Sequence, residues 1–140
     1  MYGIPDRLKA VSPAEEKVLL ALWSAGASAS RREIEKQLRG VSWKEATLLN
    51  FLERLEAKGW VKVSREGNRN LYTPCVTRRA YGVYCMRERL EVLFNGDPAA
   101  AVRALASESG CTAAQLSAAA AVLQQLADAQ EDYDLYDPYG

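Results

Sequence analysis

Ser42-Trp-Lys-Glu-Ala-Thr-Leu-Leu-Asn-Phe-Leu-Glu-Arg-Leu-Glu-Ala-Lys-Gly59, followed at once by Trp60-Val-Lys-Val-Ser-Arg65, Glu66-Gly-Asn-Arg69 and Asn70-Leu-Tyr-Thr-Pro74, decides the fold. The first part has the period of a helix. Ser42 and Glu45 stand at the spacing of a capping box, and Gly59 supplies a stop. At 100° per residue Leu48, Phe51, Leu52 and Leu55 share one arc, which must face a core. Trp43, Ala46, Thr47, Asn50 and Arg54 fall on the opposite arc. Then the period changes to two. Residues 60–65 read as a strand, 66–69 as a tight turn and 70–73 as the returning strand, which Pro74 ends.

Upstream, the same punctuation occurs twice more. Ser12-Pro-Ala-Glu15 is a capping box with proline in the first turn, and Val18, Leu19, Leu22 and Trp23 follow at helical spacing as far as Gly26. Ser30-Arg-Arg-Glu33 opens a short helix that buries Ile34 and Leu38 and stops at Gly40. Three capped helices followed by a hairpin is the order of a winged helix-turn-helix.

Past residue 77 the chain turns alanine-rich and shows no strand signal. One helix covers about 77–94, with Val83, Met86, Leu90 and Leu93 as an apolar stripe ending beside Phe94. Asp97-Pro98 opens a second helix, which carries Leu105. Thr112-Ala-Ala-Gln115 caps a third, with Leu116, Leu123 and Leu126 on one side. Helices so few and short cannot cover their own stripes, so a second copy of the chain is expected to do so. The expected class is mainly α with a small β-hairpin. A winged-helix DNA-binding domain spans 1–76, a helical dimerisation domain 77–130, and an acidic, disordered tail 131–140.

Among the 140 residues, formal charge cancels overall but not locally. Residues 1–79 carry 15 Lys+Arg against 9 Asp+Glu, and residues 80–140 carry 3 against 9. A basic front half suits a head that meets a polyanion. The third helix offers the matching chemistry. Asn50 suits adenine, Arg54 suits guanine or phosphate, and Ala46 and Thr47 suit a thymine methyl. Ser42, Trp43 and Lys44 stand at the entry of that helix. Arg31 and Arg32 open the second helix and serve equally well as phosphate contacts or as surface charges paired with Glu35. In the hairpin Lys62, Arg65 and Arg69 flank a tip at Asn68, where a wing can follow the backbone or enter a minor groove.

Other classes find little support. Histidine is absent and Cys75, Cys85 and Cys111 are far apart, so no metal or other cofactor is expected. No nucleophile–base pair or phosphate loop is visible, so an enzyme is not expected. No apolar run nears the roughly 20 residues that span a bilayer, and no signal peptide opens the chain, so a cytoplasmic protein is expected. The competing readings are a winged-helix protein-interaction module anchored by Trp43 and Leu49, and a thiol sensor.

Ser12-x-Ala14-Glu15, Trp23, Arg32-Glu33-Ile34, Trp43-x-x-x-Thr47 and Leu52-x-Arg54-Leu55-x-x-Lys58-Gly59 before a hairpin together resemble the penicillinase-repressor (BlaI/MecI) family, with its CopY relatives. Leu93-Phe94-Asn95-Gly96-Asp97 extends the resemblance, which covers about residues 10–127. The resemblance implies a homodimer on a palindromic DNA operator, with the third helix in the major groove and Thr47 facing DNA. It also implies release by a membrane sensor protease system that answers β-lactams. Asn50 stands where a second threonine is usual and Lys44 where serine is common. Residues 100–106 contain no Asn-Phe pair, and the clustered cysteines of copper-responsive members are missing.

Overall fold

Serine caps set the start of the first two helices. The computed structural model describes residues 9–108 and 110–135. In α1, Pro13–Ala25, the Ser12 hydroxyl accepts from the Glu15 amide and the Glu15 carboxylate accepts from the Ser12 amide, a complete capping box. Ser30 and Glu33 repeat this at α2, Arg31–Gln37. The next helix, α3, spans Glu45–Ala57 and departs from expectation. Its N-cap is Lys44, with no side-chain bond, so the box expected at Ser42 does not form. The helix starts too late for it: Ser42 lies two residues ahead of the cap and Glu45 is the first helical residue, its carboxylate paired with Arg31 Nε at 3.1 Å. Trp43 therefore precedes the helix instead of lying on its outer arc. Its ring packs on Phe51 with centroids 4.9 Å apart.

Strands β1, Val61–Glu66, and β2, Arg69–Pro74, pair antiparallel with Val63 opposite Tyr72 and Glu66 opposite Arg69. Only Gly67 and Asn68 remain in the turn. Gly67 has φ of 62°, a conformation that glycine adopts without strain and that suits the first turn position of a tight hairpin. Ala29 bonds Tyr72 through both backbone groups, at 3.0 and 2.8 Å, adding a one-residue third strand. This ties the loop before α2 to the hairpin.

Chain packing divides the molecule into one unit through Arg87 and another from Glu88 onward. The core of the first unit joins Val18, Leu19 and Leu22 of α1, Ile34 of α2, and Leu48, Leu52 and Leu55 of α3. Trp60 and Tyr72 close it from the hairpin side. The expected core face of α3 is buried except Phe51, which is half-buried. This is a winged helix-turn-helix domain. Helix α4, Arg78–Phe94, begins inside the same unit, beyond the boundary expected at residues 76 and 77. Tyr81 is buried, meets the Trp60 ring nearly edge-on at 5.4 Å, and donates its hydroxyl to Glu16 at 2.7 Å. Burial, and then the carboxylate acceptor, push that hydroxyl's pKa well above the ordinary tyrosine value.

The second unit is helical: the end of α4, then α5, Pro98–Glu108, and α6, Ala113–Leu135. Asp97 accepts from the Ala99 and Ala100 amides, and Thr112 and Gln115 form a complete box. No residue of α5 is buried. Helix α6 continues to Leu135, so residues 131–135 of the expected tail are helical. Alanine-rich sequence has high helix propensity and carries the turn pattern onward. Residues 136–140 lie outside the described residues, as do residues 1–8.

Candidate nucleic-acid interface

The outer side of α3 is a small polar surface. Ala46, Asn50 and Arg54 are exposed and Thr47 is half-buried. The Arg54 guanidinium lies over the Phe51 ring, 5.5 Å from its centroid, and Phe51 in turn meets Trp43. This row of rings fixes where Arg54 starts from while leaving the cation in solvent. Ser42 and Lys44 are exposed just ahead of the helix, where free backbone N–H groups and the helix dipole favour an anion.

Two anchors hold α3 at its far end. Lys58 Nζ donates to the Glu15 carboxylate at 2.6 Å and to the Ala10 carbonyl at 2.9 Å. Trp60 Nε1 donates to the Lys9 carbonyl at 2.7 Å. Glu15 is buried, and its second oxygen has no hydrogen-bond partner among the described residues. Burial pushes its carboxyl up, but the bonds from Lys58 and from Ser12 outweigh this and hold it below the ordinary glutamate value. The sequence shows only the capping role of Glu15. Its partner lies 43 residues away, beyond any local pattern.

At the near end α2, α3 and the wing converge. A cleft of about 480 Å³ is bordered by Ser30, Arg31, Arg32, Glu45, Asn68 and Arg69, among others. The structure thus brings together four of the expected contact residues, with Glu45 added to them. Arg31 bonds Glu35 at 2.6 Å, the pairing the sequence offered, and also Glu45 of α3. Arg69 pairs with Glu66 at 3.3 Å and Glu33 at 3.7 Å. The Ser30 amide and hydroxyl, more than Arg69, hold the Glu33 carboxyl below its ordinary value. An Arg31–Glu35 pair is visible at helical spacing, but the partnerships with Glu45 and Glu33 require the tertiary fold. Arg32, Lys44, Lys62 and Arg65 are exposed and form no ion pair among the described residues. Asn68 occupies the exposed tip.

The chain matches the penicillinase repressor family over residues 11–125. The chain belongs to that family. Penicillinase repressors are DNA-binding transcriptional repressors, and the mainly α, winged-helix class described above is in keeping with that family. Among solved structures, the monomeric form of Bacillus licheniformis BlaI in complex with the blaP half-operator is 31% identical. That match covers 53% of this chain and 90% of the other, with a TM-score of 0.45. The DNA-binding domain of the repressor BlaI is 32% identical, with 58% and 94% covered and a TM-score of 0.44. Bordetella bronchiseptica BpsR, described with regulation of its DNA binding by 6-hydroxynicotinic acid, is 23% identical over 90% of this chain and 80% of that one. Its TM-score is 0.42. No curated protein matches the chain.

The residues expected at a dimer surface have mixed exposure. Met86, Leu93, Leu105, Leu123 and Leu126 are exposed, Met86 at 74%. Val83, Leu90, Phe94 and Leu116 are half-buried. Among the described residues no helix is long and apolar enough to cross a membrane. No group of three metal-ligating side chains occurs among them either.

Proposed function

We propose that this penicillinase repressor acts as a cytoplasmic homodimer on a palindromic operator, with α3 of each copy in the major groove. The observation that carries this reading is the outer face of α3: Ala46, Thr47, Asn50 and Arg54 lie outward while Leu48, Leu52 and Leu55 are buried. Asn50 and Arg54 read base edges, and Ala46 and Thr47 meet thymine methyls. Arg32, Lys44, Lys62 and Arg65 neutralise phosphates, and Asn68 brings the wing to the backbone. The exposed leucines of the second unit pair two chains. The operator controls a β-lactam-resistance or related stress-response operon, with a membrane sensor protease system as the partner that releases it.

Selection of bound duplexes from a random library tests this reading. One duplex class should be enriched, with affinity that falls steeply as salt rises. Asn50→Ala should shift the preferred sequence, discarding roughly 1–3 kcal/mol of discrimination at one base pair. Lys62→Ala should weaken all duplexes alike and reduce the salt slope by about one. Equal losses on all duplexes from Asn50→Ala would remove that residue from base readout. A chain that enriches nothing at any salt would favour a protein-docking head instead.

A further inference from the structure

Arg31 and Arg69 have the charge of phosphate contacts but not the surroundings. The Arg31 guanidinium is engaged twice, by Glu35 through Nη1 and by Glu45 through Nε, and only 22% of the side chain is exposed. One bond stays within α2 and the other reaches the first residue of α3. Arg69, at the base of the turn, is engaged by Glu66 across the hairpin and by Glu33 of α2. Glu33 is itself fixed, because one oxygen accepts from the Ser30 amide at 3.0 Å. So α2 reaches α3 through one arginine and the wing through the other.

Between these links lies the open cleft of about 480 Å³, lined by Leu49 and Tyr72 as well as by the charged groups. The backbone tie between the α2 side and the hairpin is at Ala29 and Tyr72, three residues along β2 from Arg69. Toward the wing tip, side-chain charge is what spans the gap. We propose that Arg31 and Arg69 are positioning residues, whose ion pairs set the separation between the α3 N-terminus and the wing. Phosphates are left to the cations without such partners. This inference rests on reading the α3 face as a duplex-binding surface. It reassigns two of that surface's arginines.

The two roles predict opposite signs when the carboxylates are neutralised. If the arginines bind phosphate, Glu33→Gln and Glu45→Gln free a cation, remove a repelling charge and tighten binding to duplex. If the arginines are struts, the same changes release the spacing and weaken binding. Glutamine preserves the α2 capping box, so Glu33→Gln leaves the helix start intact. Glu33 and Glu45 are themselves about half exposed, and ion pairs of such carboxylates add little to global stability, so the thermal midpoint should move by no more than a few degrees. The strut role predicts about tenfold weaker binding of the library-selected duplex for each variant. In the free protein, amides 66–69 of Glu33→Gln should exchange about tenfold faster, with α1 amides unchanged. Tighter duplex binding, or unchanged exchange at 66–69, would overturn the proposal. If the parent chain binds no duplex, the functional reading fails, while the exchange measurement still decides whether Glu33 holds the wing.

Discussion

Glu15 combines two jobs that normally fall to different residues. Its carboxylate closes the α1 capping box and binds Lys58 at the end of α3, inside the head. Glu15→Gln separates them, because glutamine still serves a capping box but carries no charge for Lys58. Lys58 keeps 27% of its side chain exposed, so the loss should fall below that of a fully buried broken pair, at about 1–3 kcal/mol near pH 7. The carboxyl's folded pKa is depressed, so its stabilisation is complete above the unfolded value of about 4.3 and fades as pH falls below it. Thermal melts at pH 7 and pH 3 should therefore show a large gap between parent and Glu15→Gln that narrows in acid. A gap independent of pH would mean that Lys58 contributes little. Glu33 is depressed for a related reason, through Ser30, and adds to acid sensitivity in both proteins.

Among the elements, the three serine–glutamate pairs look alike in sequence but differ in the fold. Ser12 and Ser30 cap their helices, whereas Ser42 is exposed and Lys44 stands at the N-cap of α3. Ser30→Ala should cost about 1 kcal/mol in denaturant melts and Ser42→Ala less than about 0.5 kcal/mol. Equal losses would restore the third cap. The contrast shows where local reading stops. A capping box is written within four residues, but α3 starts too late for Ser42 to cap it and Glu45 pairs with Arg31 on another helix, and no spacing along the chain reveals either. The core arc of α3, the hairpin and the Thr112 cap were legible because their causes are periodicity, turn chemistry and local hydrogen bonding. Tyr81 was not, because it stands off the stripe of Val83, Met86, Leu90 and Leu93, and no local spacing declares which neighbour buries it. Tyr81→Phe should cost about 0.5–1.5 kcal/mol through loss of the hydroxyl bond to Glu16.

For the whole molecule, charge and apolar exposure separate along the chain. The basic residues gather in the head, and the second unit exposes Val92, Leu93, Val102, Val122, Leu123 and Leu126. Such a surface is what the proposed pairing of two chains would cover. Sedimentation equilibrium should give twice the chain mass, and the double variant Leu93→Glu, Leu126→Glu should give a monomer that still folds its head. A parent that remains monomeric at tens of micromolar would contradict the dimer. The family and the mainly α winged-helix class were legible from the third helix and the hairpin, whereas the first unit's extent to Arg87 emerged only from packing. Amide shift mapping of the full chain with a library-selected duplex decides whether the outer face of α3 meets DNA. Perturbations should concentrate at residues 44–54 and at the wing, residues 65–69, while the amides of α1 stay unperturbed. Perturbations confined to other surfaces, with α3 silent at saturation, would contradict the proposed interface.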